Sequence, residues 1–310
     1  MSARRIITTL PAATEIVYKL GLGKQVLAVS HECRYPLAVK RKPSVTVPNF
    51  AYDTASSLQI DQHVRTSLQQ GRSLYHLDEQ LLKQLSPTHL IMQKLCEVCA
   101  ITPTEVQASI QHLAVKPQLL SLDASALSQI YTDIEQVGQF LDQTDRAKDL
   151  VTDLRRRLAS LKRQTRSLRR KTVFCIEWLD PLFATGHWVP EMVEAAGGIE
   201  QIGQAGQASV QTTWAEIAKY DPEVLIIAPC SFPLAKTLRE IALLKTNPEW
   251  LSLKAVRSGH VWVIEGPDYF SQSGPRVISQ GIPLLARILH PGTFGYPRTK
   301  TAVRLSTGSP

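Results

Sequence analysis

Residues 124–170 contain no proline and no run that reads as a strand, and their apolar side chains recur at helical spacing. Leu127, Ile130, Ile134, Val137, Leu141, Leu150, Leu154, Leu158, Leu161 and Leu168 lie mostly three or four positions apart, the period that keeps side chains on one helical face. The pattern predicts one long helix, or two nearly continuous ones, of roughly 45 residues and about 65 Å at 1.5 Å per residue. Such a helix exceeds what one sheet needs for cover. In a chain of 310 residues, enough for two domains of ordinary size, it reads as a spine between two lobes.

Both flanks of the spine alternate short β-branched runs with amphipathic stretches. Before it, residues 4–10, 25–30, 44–47, 88–93 and 118–122 read as strands. Residues 14–20, 59–70 and 78–85 read as helices, the last capped by Asp78, and Thr102-Pro103-Thr104-Glu105 opens another. After it, 172–178, 224–228 and 261–265 are strand-like, and 189–196, 213–220, 233–244 and 274–289 helical. This rhythm predicts an α/β chain of two Rossmann-like lobes, each with a parallel sheet, joined by a long backbone helix. The expected boundaries are an N-terminal lobe at 1–123, the linking helix at 124–170, a C-terminal lobe at 171–290 and a flexible tail at 291–310. The tail is rich in Pro, Gly, Thr and Ser.

Hydrophobic residues make up 44% and charged residues 20%, which excludes whole-chain disorder and a collagen-like or coiled-coil rod. No stretch approaches the roughly 18 apolar residues of a membrane span. The opening residues lack an apolar core and a small-residue cleavage site, so they do not read as a secretory signal, and the expected location is the cytoplasm. The net charge of +8 is local. Arg155, Arg156, Arg157, Lys162, Arg163, Arg166, Arg169, Arg170 and Lys171 fall in a segment without acidic residues. Outside it, 26 basic residues face 27 acidic ones. Such a run is a solvated helix face or a polyanion-binding stripe; no nucleic-acid motif accompanies it, and no nucleic-acid partner is expected.

In open α/β sheets, ligands bind outside the carboxyl ends of the strands. The residues that follow the strand-like runs are therefore the candidates. After 25–30 come His31, Glu32, Cys33 and Tyr35, and after 88–93 come Cys96, Glu97 and Cys99. In the second half they are Glu177, Trp178 and Asp180, then Cys230, Ser231 and Phe232, then Asp268, Tyr269 and Phe270. Four of the five cysteines sit at or after such an end, and Cys175 lies within its strand. An odd cysteine count without a signal does not make a disulfide framework. Cys, His, Glu and aromatic residues gathered at one edge of both sheets point to a cleft.

The run Arg-Ile-Ile-Thr-Thr-Leu-Pro-Ala-Ala-Thr-Glu-Ile-Val-Tyr-Lys-Leu-Gly-Leu-Gly at 5–23 resembles the first strand and helix of the helical-backbone (class III) substrate-binding proteins of ABC transporters. Residues 27–36, 81–91 and Gly274-Pro275-Arg276-Val277 are similar to the same family, and the likeness spans about 4–290 with the long helix as its hallmark. Ser30-His31-Glu32-Cys33 and Leu95-Cys96-Glu97-Val98-Cys99-Ala100 resemble a subgroup labelled cobalamin-binding. The resemblance implies two lobes holding a corrinoid or similar large ligand, and relatives that import iron–siderophores or cobalamin. It implies docking on an ABC permease through acidic rim residues, with Glu105 at one such position. In the cytoplasm the job would be sequestration or delivery; an ABC permease is the partner if the chain is exported by other means.

The candidate ligand-binding residues are His31, Glu32, Cys33, Tyr35, Cys96, Glu97, Cys99, Glu177, Trp178, His187, Trp188, Tyr269, Phe270 and Arg276. His187-Trp188 either simply enters a helix with Pro190 in its first turn or offers a donor and a flat ring to the cleft. Arg276 reaches the cleft or caps a neighbouring loop. Cys96 and Cys99 have the spacing of half a metal site, which His31 and Cys33 could complete for zinc or iron; a redox pair and a plain pocket wall are the other readings. Glu177 and Asp180 could be an acid–base pair, but no nucleophile elbow, phosphate loop or H-E-x-x-H accompanies them. Gly21-Leu22-Gly23 ends a helix and is no dinucleotide fingerprint. A binding protein is therefore the first reading, a metal-binding protein or metallo-enzyme the second, and a redox or interaction protein using the arginine-rich segment the third.

Overall fold

The computed structural model describes residues 4–93, 103–298 and 300–305. Its internal contacts divide the chain into two units, Met1–Ala124 with Ser128–Asp153, and Ser125–Leu127 with Leu154–Pro310.

The first unit carries strands β1 (Ile6–Thr8), β2 (Val26–Ala28), β3 (Thr46–Pro48), β4 (Tyr75–Leu77), β5 (His89–Gln93) and β6 (Gln118–Leu122). The order β2-β1-β5-β6 forms a four-stranded sheet whose pairings are all parallel. β3 and β4 pair antiparallel beside it. Ile7, Ala28, Leu90 and Met92 pack with Val45, Leu77, Leu82, Val106 and Ile110 into one core. The helices start where local chemistry permits. Pro11 opens Pro11–Lys19, where its missing N–H costs nothing. Ser56 and Gln59 cap Ser57–Gln69 reciprocally, each side-chain oxygen accepting the other's amide at 3.3 and 2.9 Å. Asp78 accepts the Leu81 amide at 2.9 Å at the head of Glu79–Leu85.

The second unit holds β7 (Lys171–Leu179), β8 (Leu182–Ala184), β9 (Gly198–Ile199), β10 (Val210–Gln211), β11 (Val224–Ile227), β12 (Val261–Ile264) and β13 (Ala302–Arg304). The order is β10-β8-β7-β11-β12-β13, with β9 on β7. β7, β11 and β12 run parallel, while β8, β10 and β13 pair antiparallel. The β7–β8 register slips between Ile176 and Trp178, so Glu177 is the extra residue of a β-bulge. The core joins Phe174, Ile176, Leu225, Ile227, Val261 and Val263 to Ile217, Ile241, Trp250 and Leu253.

Of the two readings of 124–170, one long helix or two nearly continuous ones, the structure shows two helices, Leu127–Phe140 and Thr144–Thr165, which do not run on as a single spine. Asp142 turns between them with φ +48°, and Gly138 lies against the Ala147 Cβ. Nine residues of one continuous helix would span about 13 Å, so the chain folds over at Asp142. Nothing punctuates the turn but an aspartate, which tolerates left-handed backbone without the glycine or proline that marks most breaks. The boundary between the units falls inside the second helix. The segment read as a flexible tail holds a short helix, Pro291–Phe294, and strand β13 on the sheet edge. Three strand residues among turn formers are too few to show a period.

Candidate functional site

In the first unit the carboxyl ends of β1 and β2 meet in a polar network. The hydroxyls of Thr8 and Thr14 lie 2.6 Å apart, and the Cys33 Sγ is 3.1 Å from Thr14 Oγ1. Burial pushes the Cys33 thiol up to about 12, against the opposing pull of the Thr14 bond. The thiol therefore belongs to the packed interior. His31, two residues earlier, makes a different contact: its Nδ1 lies 2.7 Å from the Thr46 Oγ1 at the start of β3. Although His31 keeps exposed surface, desolvation by the surrounding loops holds its imidazole below the usual value. Glu32 and Tyr35 are half-buried on the same loop.

His31 also begins a column of rings that sequence reading missed. Its centroid is 5.1 Å from Tyr75, Tyr75 is 5.9 Å from Tyr52, Tyr52 is 5.3 Å from Phe50, and Phe50 stacks on His63 at 4.2 Å. The rings come from the β2 loop, the loop after β3, helix Ser57–Gln69 and strand β4. The available signal was Phe50-Ala51-Tyr52-Asp53 directly after a strand-like run, the same position that singled out His31. Burial raises the Tyr52 phenol to about 12.

Cys96, Glu97 and Cys99 lie outside the described residues, so half of the predicted metal set and three of the predicted ligand contacts have no geometry here. Of the other half, Cys33 is engaged with Thr14 and His31 with Thr46. Among the described residues no three His, Cys, Asp or Glu side chains are grouped to hold a metal ion. Glu105, half-buried on helix Pro103–Ile110, lines a groove of about 560 Å³ together with His76, Asp78 and Glu79. Among those residues no helix is long and apolar enough to cross a membrane.

In the second unit the bulge at Glu177 and the turn after β8 build one loop cluster. Asp180 is exposed; the Glu177 carboxylate accepts the Ser209 hydroxyl at 2.6 Å, and burial raises its pKa. His187 has φ +51°, an uncommon conformation for a residue with a side chain. Its N–H donates to Gln207 O at 2.6 Å and its own carbonyl accepts the Gly206 N–H at 2.8 Å. The ring lies 5.6 Å from that of Trp188, and burial lowers its pKa. Trp188 is buried, with Nε1–H donating to the Phe270 carbonyl at 2.8 Å.

The remaining residues assemble around these. Trp178 meets Phe232 edge-on at 4.9 Å, and the buried Lys236 sets its Nζ 3.8 Å above the Phe232 ring. Arg276 is turned inward, with its guanidinium 3.2 Å from the Asp268 carboxylate and 6.0 Å from the Tyr269 ring. Of the two readings open for Arg276, the structure supports a bond to a neighbouring loop. Phe270 is buried and Tyr269 half-buried. The structure thus joins Trp188 to Phe270, and Arg276 to Asp268 and Tyr269, while Trp178, near the end of β7, pairs with Phe232. Phe232 and Lys236 join them, and Cys175 is sealed inside β7.

The family model described as periplasmic binding protein matches residues 6–267. An uncharacterised ABC transporter substrate-binding lipoprotein of Bacillus subtilis is 25% identical over 297 residues, covering 94% of this chain and 81% of the relative. Among solved structures, a periplasmic heme-binding protein from Pseudomonas aeruginosa superposes with TM-score 0.70 at 20% identity, covering 94% of each chain. A periplasmic vitamin B12-binding protein of Vibrio cholerae superposes with TM-score 0.64 at 20% identity, covering 93% of this chain and 96% of that one.

Proposed function

The chain belongs to the periplasmic binding protein family, and from that premise we propose that it binds a metal-centred tetrapyrrole, a corrinoid such as cobalamin or a haem. The observation that carries this reading is the ring column His31–Tyr75–Tyr52–Phe50–His63 of the first unit, which begins on the loop after β2. The half-buried rings of Phe50, Tyr52 and His63 and the exposed His31, backed by the buried Tyr75, offer a rigid, largely apolar surface, which suits a flat macrocycle better than a small polar solute. The second unit has its own set, with Trp178, Phe232 and a half-buried imidazole at His187. Neutral imidazole is a ligand for cobalt and iron alike. Similar proteins described as heme-binding, vitamin B12-binding and ABC transporter substrate-binding support this class of cargo and delivery to an ABC permease.

The acidic groove with Glu105 supplies a candidate docking point for that permease. Where the protein is exported, bound ligand passes to the permease; where it stays in the cytoplasm, binding means sequestration or delivery, and cell fractionation separates the two. The ligand reading is tested by titrating the purified protein with aquacobalamin and, separately, with hemin, following the visible spectrum. A saturable shift with one of them, weakened about tenfold or more in Tyr52→Ala or Tyr75→Ala, is the expected result. No spectral change with either, at concentrations to about 100 µM where a cargo site is filled, would overturn it.

A further inference from the structure

The His187 turn is held by a carboxylate whose place in the fold is unusual. Glu177 is the extra residue of the β7 bulge, a device that re-aims one side chain out of the regular alternation. From there it accepts the Ser209 hydroxyl at 2.6 Å, and the Gly186 N–H is shared between Ser209 Oγ, at 3.2 Å, and Glu177. Gly186 itself has no room for a side chain: a Cβ there would strike the Gln207 carbonyl and the Ala208–Ser209 peptide. Backbone therefore lies on backbone, and the next residue, His187, is fixed at φ +51° with both its amide and its carbonyl bonded to the 206–207 segment.

Burying a carboxylate is costly unless its bonds need an acceptor on every side. Here both neighbours, the Ser209 hydroxyl and the Gly186 amide, are donors. What this arrangement holds in place is the half-buried imidazole of His187. The His187 ring meets Trp188 at 5.6 Å, and its nitrogens make no hydrogen bond to the described residues. Strained backbone that the surroundings over-determine is found at ligand clamps.

We propose that Glu177 is a positioning residue: through Ser209 and Gly186 it locks the His187 turn and presents the imidazole to the bound ligand. The proposal rests on the reading of His187 as a ligand contact and adds the residue that enforces it. Burial lowers the His187 pKa, which favours the neutral ring with a lone pair to offer. Gln is the informative replacement. Its amide is nearly the same shape, but it removes the charge, and its NH2 is met only if the Ser209 hydroxyl turns from donor to acceptor, so the lock weakens without a cavity.

The test combines two measurements on the full chain. Hemin and aquacobalamin titrations are made on wild type, Glu177→Gln, His187→Ala and the double variant. Glu177→Gln is expected to weaken binding about 10-fold or more, the usual scale for losing a partner that orients a ligating histidine. In the His187→Ala background it should add nothing, because the effect runs through His187. Separately, diethyl pyrocarbonate acylation at His187 is followed by peptide mass spectrometry without any ligand. Its rate should change at least threefold in Glu177→Gln while that at His76 stays constant. Ser209→Ala, which keeps the carboxylate, should move both readouts in the same direction by less. Equal losses of affinity in both backgrounds, or an unchanged acylation rate at His187, would overturn the proposal. If neither probe binds wild type, the tetrapyrrole reading fails, and the acylation rates still decide whether Glu177 positions His187.

Discussion

The Cys33 Sγ lies 3.1 Å from the hydroxyl of Thr14, a residue of the first helix, so the loop after β2 is tied to that helix through a thiol. With its pKa pushed up to about 12 by burial, Cys33 stays protonated at neutral pH, and the thiolate is the reactive form. Iodoacetamide at pH near 8, the ordinary range for thiol labelling, should leave the Cys33 and Cys175 peptides unmodified in the folded protein. Cys230, which is only half-buried, should label. Labelling of Cys33 as fast as Cys230 would show that this loop opens readily.

Asp133 is 3% exposed on helix Leu127–Phe140, accepting the amides of Asp123 and Ala124. Burial raises its pKa from 3.8 to about 6, the two amide bonds opposing the shift. The folded chain thus binds this proton more tightly than the unfolded chain. Its contribution is unfavourable above about pH 6 and fades as pH falls toward 4, a swing of roughly 2–4 kcal/mol. Urea midpoints of wild type and Asp133→Asn between pH near 7.5 and pH near 4.5 measure it. The wild type should gain stability relative to the variant on acidification. Parallel pH profiles would mean that Asp133 is not desolvated as described.

Trp188 Nε1 donates to the Phe270 carbonyl at 2.8 Å in a buried setting. Trp188→Phe keeps a ring but strands that acceptor, and should cost about 1–3 kcal/mol in urea unfolding. Trp188→Ala should cost about 3–5 kcal/mol through the added cavity. A Phe variant as stable as wild type would mean that water replaces the indole there.

Gly186→Ala places a methyl group on the Gln207 carbonyl and the following peptide. Backbone atoms cannot swing aside as a flexible side chain would, so roughly 2 kcal/mol or more should be lost. The 206–209 segment should also show faster amide exchange. Gly206→Ala meets no atom but sits at φ +73°; it should cost about 1 kcal/mol through backbone strain alone. Equal effects at the two glycines would refute the close approach at Gly186.

What was legible in the sequence was local. The helix cap at Asp78 is written in residues a few positions apart, the helices Pro11–Lys19 and Ser57–Gln69 start a little before the expected 14 and 59, and the buried strands β5, β11 and β12 are short apolar runs. Because parallel strands with helical crossovers put their loops at one edge, the same periodicity also predicts His31, Trp178 and Tyr269 at strand ends, with His187 on a loop entering a helix. Partner choice was not legible, since it depends on distances across the chain. The Thr14–Cys33 contact, the turn at Asp142, the β13 pairing and the bulge at Glu177 leave no period, because each involves one to three residues. The ring column is the clearest case. Phe50, Tyr52, His63 and Tyr75 are unremarkable one by one, and only the packing of β3, β4 and helix Ser57–Gln69 brings them into stacked and edge-on contact. Periodicity and capping are one-dimensional properties that a sequence carries by itself. Which rings stack, which thiol is sealed and which imidazole is held at positive φ are set by long-range packing and desolvation, which exist only once the chain has folded.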